Sequence, residues 1–288
     1  MKVTVIGLGL IGGSLARSLR KNGLATSLVG VDTNARHANE ALKLGLVDQL
    51  MTMEEGCAMA DLVVLAIPVN AAGQVAVDVL DLVLPKVVVA DMGSTKEAIC
   101  KIVEKHEKRG QFVAAHPIAG TENTGPGAAI EGLFADKVAI ICDREKSSQA
   151  ALACIEKVFR VLQMKVISMS SKEHDEHIAY VSHLSHISSF ALCNTVLEIE
   201  KDEKNIFNMA GSGFASTVRL AKSAPSMWAP IFEQNQENIS AALAMYINKL
   251  IHFKKLIDEK DIEGLASLMS DANEVRRVLK GIELNDNQ

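Results

Sequence analysis

No stretch of this 288-residue chain is apolar for long enough to cross a bilayer, which takes about eighteen residues or more. The strongest candidate, Asp61-Leu62-Val63-Val64-Leu65-Ala66-Ile67-Pro68, is closed by an aspartate at one end and a proline at the other. Cysteine is scarce as well. Cys57, Cys100, Cys142, Cys154 and Cys193 are odd in number, far apart and never in a CxxC pair, which leaves them as reduced, mostly structural thiols. There is no basic tract: the net charge is −5, and the lysines from Lys101 to Lys108 alternate with glutamates at helical spacing, as on a solvated face. That balance excludes a nucleic-acid partner. Neither an internal repeat nor a low-complexity segment is present, and no regulatory segment is recognisable at either end. Lys2 and the apolar run after it imitate a secretory signal, but the run holds several glycines, and Arg17 and Arg20 follow as its periodicity continues into a helix. A cytoplasmic protein with no membrane partner is expected.

What the chain does have is apolar material, 48% of its residues, and a length that suggests two domains. Its most informative stretch is the beginning, where Val3-Thr4-Val5-Ile6 runs into Gly7-Leu8-Gly9-Leu10-Ile11-Gly12 and then into the helical pattern that starts at Ser14. A strand, a glycine-rich turn and a helix in that order place unpaired N–H groups and the positive end of a helix where a pyrophosphate can sit. A second apolar strand ends in Asp32, about twenty residues past the last glycine, where a carboxylate reaches the ribose 2′-OH of a dinucleotide. Gly7, Gly9, Leu10, Ile11, Gly12 and Asp32, with Ile67 and Pro68 after the next strand, are the candidate residues for binding NAD.

Up to Met169 short β-rich runs alternate with helical segments, with strands expected at 2–6, 27–31, 61–67, 86–90, 112–115, 137–142 and 165–169. That pattern makes a doubly wound, mainly parallel α/β sheet of Rossmann-like type. The first helix is expected to end near Asn22-Gly23, a second near 34–44 at Gly45, and a third, from Thr95 to Lys108, at Gly110. Beyond Met169, Ser170-Ser171-Lys172-Glu173 reads as a capping box and everything after it is helical in period. Gly211-Ser212-Gly213, Pro225 and Pro230 break that period, and a last helix is expected from about Asp261 to Lys280. Residues 1–169 then form a dinucleotide-binding domain and 170–288 an all-helical one.

Asp91-Met92-Gly93-Ser94-Thr95-Lys96 and His116-Pro117-Ile118-Ala119-Gly120-Thr121-Glu122 each follow an expected strand, so they gather with the glycine turn on the carboxyl edge of the sheet. His116 is the natural proton acceptor there, because an imidazole exchanges protons near neutral pH. Ser94 either hydrogen-bonds that imidazole or a substrate hydroxyl, or caps the next helix. His174, His177, His183 and His186 fall close together, yet at 100° per residue the first pair lies half a turn from the second, so one helix cannot converge them on a metal. One pair is expected to face the crevice and the other solvent. Arg219, on an otherwise apolar helix after the glycine break, is a carboxylate clamp or a snorkelling surface residue. Trp228, the single tryptophan, reads as core.

Taken together, these stretches resemble the prephenate dehydrogenase family, including its arogenate-using relatives. The resemblance covers Gly7 to Ser14, Asp32, Gly93 to Lys96, His116 to Glu122, Ser182-His183-Leu184-Ser185-His186, and Gly211 through Arg219 to Trp228. It implies an NAD-dependent oxidative decarboxylation of prephenate to 4-hydroxyphenylpyruvate in tyrosine biosynthesis, or of arogenate to tyrosine, in a homodimer paired through its helical domain. His116 would be the base, with Ser94 beside it. Arg219 would bind a substrate carboxylate, and His186, Thr121, Glu122 and Trp228 would shape or gate the pocket. The chain departs from the family pattern at Ser185, where many members have proline, and at Ser216, where an aspartate would orient Arg219. Two other readings compete: a β-hydroxyacid dehydrogenase or imine reductase, which usually place a lysine where this chain has His183 and His186, and a non-catalytic NAD-sensing dimer.

Overall fold

A computed structural model describes residues 1–201 and 206–279. In chain order its first elements are β1 (Lys2–Ile6), α1 (Leu10–Lys21), β2 (Ser27–Val31), α2 (Ala35–Lys43), β3 (Gln49–Leu50), α3 (Met53–Met59), β4 (Leu62–Leu65) and α4 (Val69–Leu82). Then follow β5 (Val88–Asp91), α5 (Glu97–Val103), β6 (Phe112–Pro117), β7 (Val138–Cys142), α6 (Gln149–Val161) and β8 (Lys165–Met169). The strands form one sheet in the order β3-β2-β1-β4-β5-β6-β7-β8, parallel except where β6 meets β7. The order through β6 is that of a Rossmann fold, reversing between β1 and β4.

The sheet is covered on both faces, which is why its strands read as continuous apolar runs. Alternation sends Val3, Val5, Leu62, Val64, Val113 and Ala115 to one face, under Leu15, Leu19, Ile155 and Phe159. It sends Val63, Leu65, Val89, Phe112 and Ala114 to the other, under Ala72, Ala76, Leu80, Ile99 and Val103. All five cysteines are free; Cys57 and Cys100 lie buried, and burial pushes their thiols up to about 11 and about 12.

Gly23 and Gly45, both at φ +67°, end α1 and α2 where expected. The third helix does not reach Lys108. It leaves the α-helical path at Val103, and Gly110 sits inside a 3₁₀ turn, Arg109–Gln111, instead of capping a helix. That departure draws Arg109 inside to donate to the Phe112 carbonyl (2.9 Å), while Lys108 donates to the carbonyls of Asp81 and Val83.

After β8 the chain is helical: α7 (Ser171–Ile178), a π-helical turn (Ala179–His183), α8 (Leu184–Glu200), α9 (Ser212–Thr217), a 3₁₀ turn (Arg219–Lys222), α10 (Pro225–Gln234), α11 (Gln236–Asp258) and α12 (Ile262–Ala272). The Ser170 hydroxyl caps α7 by accepting the Glu173 N–H. Compact packing divides the chain into Met1–Gln236 and Glu237–Gln288, so α7 to α10 belong with the sheet, and the change of character at Met169 is not where the packing divides. In the second unit Asp261 caps α12 by accepting the Gly264 N–H (2.9 Å). That helix ends at Ala272, and Lys280, where the last helix was expected to stop, lies outside the described residues. No helix among the described residues is long and apolar enough to cross a membrane.

Candidate active site

The glycine turn is built by steric exclusion. Gly7 holds φ +94°, and a Cβ on it would lie 2.4 Å from the Ala66 carbonyl oxygen; one on Gly12 would lie 2.0 Å from the Gly7 oxygen. Gly9 differs, since a Cβ there would meet nothing within 4 Å. Open space at Gly9, which begins α1 with no side-chain cap, is the cradle a pyrophosphate needs. Asp32 accepts the Leu8 N–H (2.9 Å) through one oxygen and the Asn34 N–H (2.8 Å) through the other, so it braces the turn it faces. Ile67 packs beside Gly7, and Pro68 begins α4.

Behind the edge of β5 and β6 lies a buried charge pair. Lys96 and Asp91 are 0% and 1% exposed and form an ion pair. Lys96 Nζ also donates to the Ala115 carbonyl (2.8 Å), and Asp91 Oδ1 accepts the Ala115 N–H (3.3 Å), so the pair grips the residue before His116 from both sides. His116 lies in β6, which runs on to Pro117, and it is 9% exposed. Burial, with the fields of His174, Lys96 and His183, drives its pKa well below the usual imidazole range. The ring is therefore neutral at physiological pH, the form a base requires.

Its partner is not Ser94. No hydrogen bond joins the two, and His116 Nδ1 instead lies 2.8 Å from His174 Nε2. Nor does Ser94 cap the next helix. That cap comes from another element, as Asp175 on α7 takes the N–H groups of Lys96 (2.8 Å) and Glu97 (2.9 Å). Asp175 also meets His174 Nδ1 at 2.7 Å. Sequence reasoning missed Asp175 and named His174 only as one of four clustered histidines, without this role; the one available signal was the adjacent His-Asp pair opening the helix after β8.

The four histidines do not divide as expected. His174 and His183, one from each pair, are buried at 1% and 0%, while His177 is exposed. The π-helical turn between them breaks the 100° spacing on which the expectation rested. Asn235 donates to His183 Nδ1 (3.2 Å), and burial pulls that ring down to about 4. The His183 ring stands nearly perpendicular to Trp228, centroids 5.9 Å apart. Trp228 in turn stacks on His186 at 3.5 Å and packs with Val69 and Ile231, so it is both core and wall. His186 Nδ1 donates to the Ser182 carbonyl (3.1 Å), and burial outweighs that bond to lower its pKa.

Arg219 begins a 3₁₀ turn, not the body of a helix as expected; Ser216 and Thr217 both turn their hydroxyls back to the Gly213 carbonyl as α9 ends. Ser216 therefore does not orient the arginine. Glu122 does, accepting from Arg219 at 3.3 Å. His116 and His174 are in contact, Trp228 joins His183 to His186, and Arg219, paired with Glu122, adds a field that helps lower His186. Thr121 spends its hydroxyl on the Asn123 N–H (3.2 Å).

Proteins built this way pass hydride between a nicotinamide and a small substrate held over the carboxyl edge of the sheet, so the class is that of the dinucleotide-dependent dehydrogenases. Comparison with known proteins is more specific. The nucleotide-binding domain of prephenate dehydrogenase matches residues 15–168, and the dimerization domain of the same enzyme matches 170–271. The prephenate dehydrogenase of Bacillus subtilis is 29% identical over 284 residues, covering 96% of this chain and 76% of that protein. The cyclohexadienyl dehydrogenase of Zymomonas mobilis is 30% identical over 283 residues, covering 96% of each. A crystal structure of prephenate dehydrogenase from A. aeolicus, in complex with hydroxyphenyl propionate and NAD+, superposes with a TM-score of 0.88 at 31% identity over 97% of this chain and 98% of that one. The chain belongs to the prephenate dehydrogenase family and is an oxidoreductase.

Proposed function

We propose that the protein oxidises prephenate with NAD+, with His116 as the base; the observation that carries this is a buried, neutral imidazole at the carboxyl edge of the sheet, in line with the glycine turn. NAD+ supplies the hydride acceptor. The open cradle at Gly9 and the Asp32 carboxylate fit its pyrophosphate and ribose, with Leu10, Ile11, Ile67 and Pro68 around them. His116 Nε2, the nitrogen not engaged by His174, takes the proton of the ring C4 hydroxyl as hydride leaves C4 for NAD+. The C1 carboxylate then departs as CO₂, its bonding pair aromatises the ring, and the proton held on His116 returns to the oxygen of the new phenol. Arg219, aimed by Glu122, grips a substrate carboxylate through its planar fork, while His186 and Trp228 wall the pocket beside it. Ser94 and Thr121 line the same edge and meet the substrate only once it is bound.

The work happens in the cytoplasm, in a homodimer. Leu192, Leu197 and Ile199 on α8 and Leu250, Ile251 and Ile257 on α11 are exposed apolar side chains of the kind a second copy covers. Arogenate differs from prephenate only in carrying an amino group for a keto group, and one of the structures similar to this chain is the arogenate dehydrogenase of Synechocystis, with a TM-score of 0.77 at 27% identity over 97% of this chain and all of that one. NADH formation with the two substrates side by side tests the reading. Higher kcat/KM with prephenate is expected; turnover with arogenate alone would overturn the substrate assignment, and turnover with neither would overturn the activity.

A further inference from the structure

We infer that Asp175 and His174 are positioning residues that fix the tautomer of His116, holding its hydrogen on Nδ1 and leaving the lone pair on Nε2. The inference rests on the reading of His116 as the base. It follows from counting donors and acceptors along one buried line.

An amide N–H can only donate. Since Lys96 and Glu97 present their N–H groups to the two oxygens of Asp175, both oxygens are acceptors. The nitrogen 2.7 Å from Asp175 Oδ1, His174 Nδ1, must then carry a hydrogen. A neutral His174 with its hydrogen there offers a lone pair at Nε2, and the nitrogen 2.8 Å from it, His116 Nδ1, then donates. The single hydrogen of the neutral His116 ring is thereby placed, and Nε2 is left as the acceptor. Every member is buried: Asp175 at 2%, His174 at 1%, His116 at 9%. Water does not compete for these bonds, so the assignment is fixed by the fold.

The anchor is well chosen physically. Asp175 is tied to two backbone amides at the start of α5, and its own carbonyl accepts from Asn235 Nδ2 (2.7 Å), so it cannot swing without uncapping a helix. Lys96 holds the carbonyl and Asp91 the N–H of Ala115, the residue before the same imidazole. Burial, helped by the fields of His174, Lys96 and His183, holds His116 neutral, so the hydrogen count on the ring stays at one. The arrangement follows the logic by which a buried carboxylate orients a catalytic histidine, with a second imidazole interposed.

Asp175→Asn tests it. The asparagine has one oxygen where aspartate has two: with that oxygen on the Glu97 N–H, its NH₂ takes the place of Oδ1, gives up the Lys96 N–H and faces His174 Nδ1. That nitrogen must then accept, His174 Nε2 must donate, and the hydrogen on His116 is forced onto Nε2. Turnover of prephenate should fall roughly 10²–10⁴-fold in kcat, with KM changed less than about threefold and NAD+ affinity unchanged. His174→Gln, which can present an oxygen to His116 Nδ1, should retain at least about ten times the kcat of His174→Leu, which cannot. ¹⁵N NMR of the unmodified protein supplies a readout independent of turnover: His116 Nε2 should show the shift of a nitrogen without hydrogen, and Nδ1 that of one with it. This arm decides the matter even where a variant fails to fold. The opposite tautomer, or an Asp175→Asn enzyme within about threefold of normal kcat while His116→Asn is inactive, would overturn the positioning role and leave the base in place. Normal turnover by His116→Asn would instead remove the base itself.

Discussion

Lys96 is wholly buried beneath the site, and its removal should be felt in stability before it is felt in chemistry. Lys96→Met deletes the cation paired with Asp91, which burial already pushes above the usual carboxylate range while Lys96 pulls it back. An uncompensated buried charge costs about 3–5 kcal/mol, to which the orphaned Ala115 carbonyl adds about 1 kcal/mol or more. The loss should shrink as pH falls, because Asp91, with its pKa raised further, escapes the penalty by taking up a proton. Adding Asp91→Asn removes the buried charge and leaves one oxygen for the N–H of Gly93 or of Ala115, so the double variant should recover part of the loss. Urea unfolding followed by the fluorescence of the single, buried Trp228 reads all three proteins. Equal midpoints for the single and double variants at neutral pH, or a single variant unmoved by pH, would refute the reasoning.

Three further outcomes follow from the geometry. The Asp32 carboxylate should repel a 2′-phosphate, so the enzyme prefers NAD+ to NADP+; Asp32→Ser should narrow the ratio of their kcat/KM values, and an unchanged ratio would remove Asp32 from cofactor choice. Arg219→Ala should raise KM for prephenate about ten- to a hundredfold without touching NAD+ binding, and Glu122→Gln should do so more weakly, since its exposed ion pair aims the guanidinium without adding much stability; a KM unmoved by either variant would place the clamp elsewhere. His183 titrates at about 4 when folded, against about 6.5 in the unfolded chain, so the unfolded chain takes up its proton first on acidification. Stability is full above about pH 6.5 and on the order of 3 kcal/mol is lost by about pH 4, with His116 adding in the same direction; a urea midpoint flat across that range would contradict the burial of these rings.

Much of this architecture can be read from the chain because strands buried on both faces leave apolar runs, and a βα turn with three fixed glycines leaves a spacing. β3 escapes such reading since two residues show no alternation. The end of α5 escapes it too, because Lys108 finds the carbonyls of Asp81 and Val83, and Arg109 that of Lys146, across the fold where no local pattern announces them. The site divides similarly. His116, Arg219 and Glu122 stand at strand ends and breaks that sequence marks, whereas the Asp175–His174–His116 line joins elements about sixty residues apart in the chain. Helical periodicity even pointed the wrong way for the histidines, since a π-helical turn shifts the phase between His177 and His183. The missing acid at Ser216 has a similar answer: its place beside Arg219 is taken by Glu122, 97 residues away.

The central claim is that His116 accepts the substrate proton, and steady-state kinetics of His116→Asn with prephenate and NAD+ test it most directly. The side chain keeps a similar shape near Nδ1 but has no basic nitrogen at Nε2. A kcat lower by roughly 10²–10⁴-fold, with KM for prephenate and the affinity for NAD+ barely changed, is the predicted result. Near-normal turnover would contradict it, and the base would have to be sought among groups other than His116.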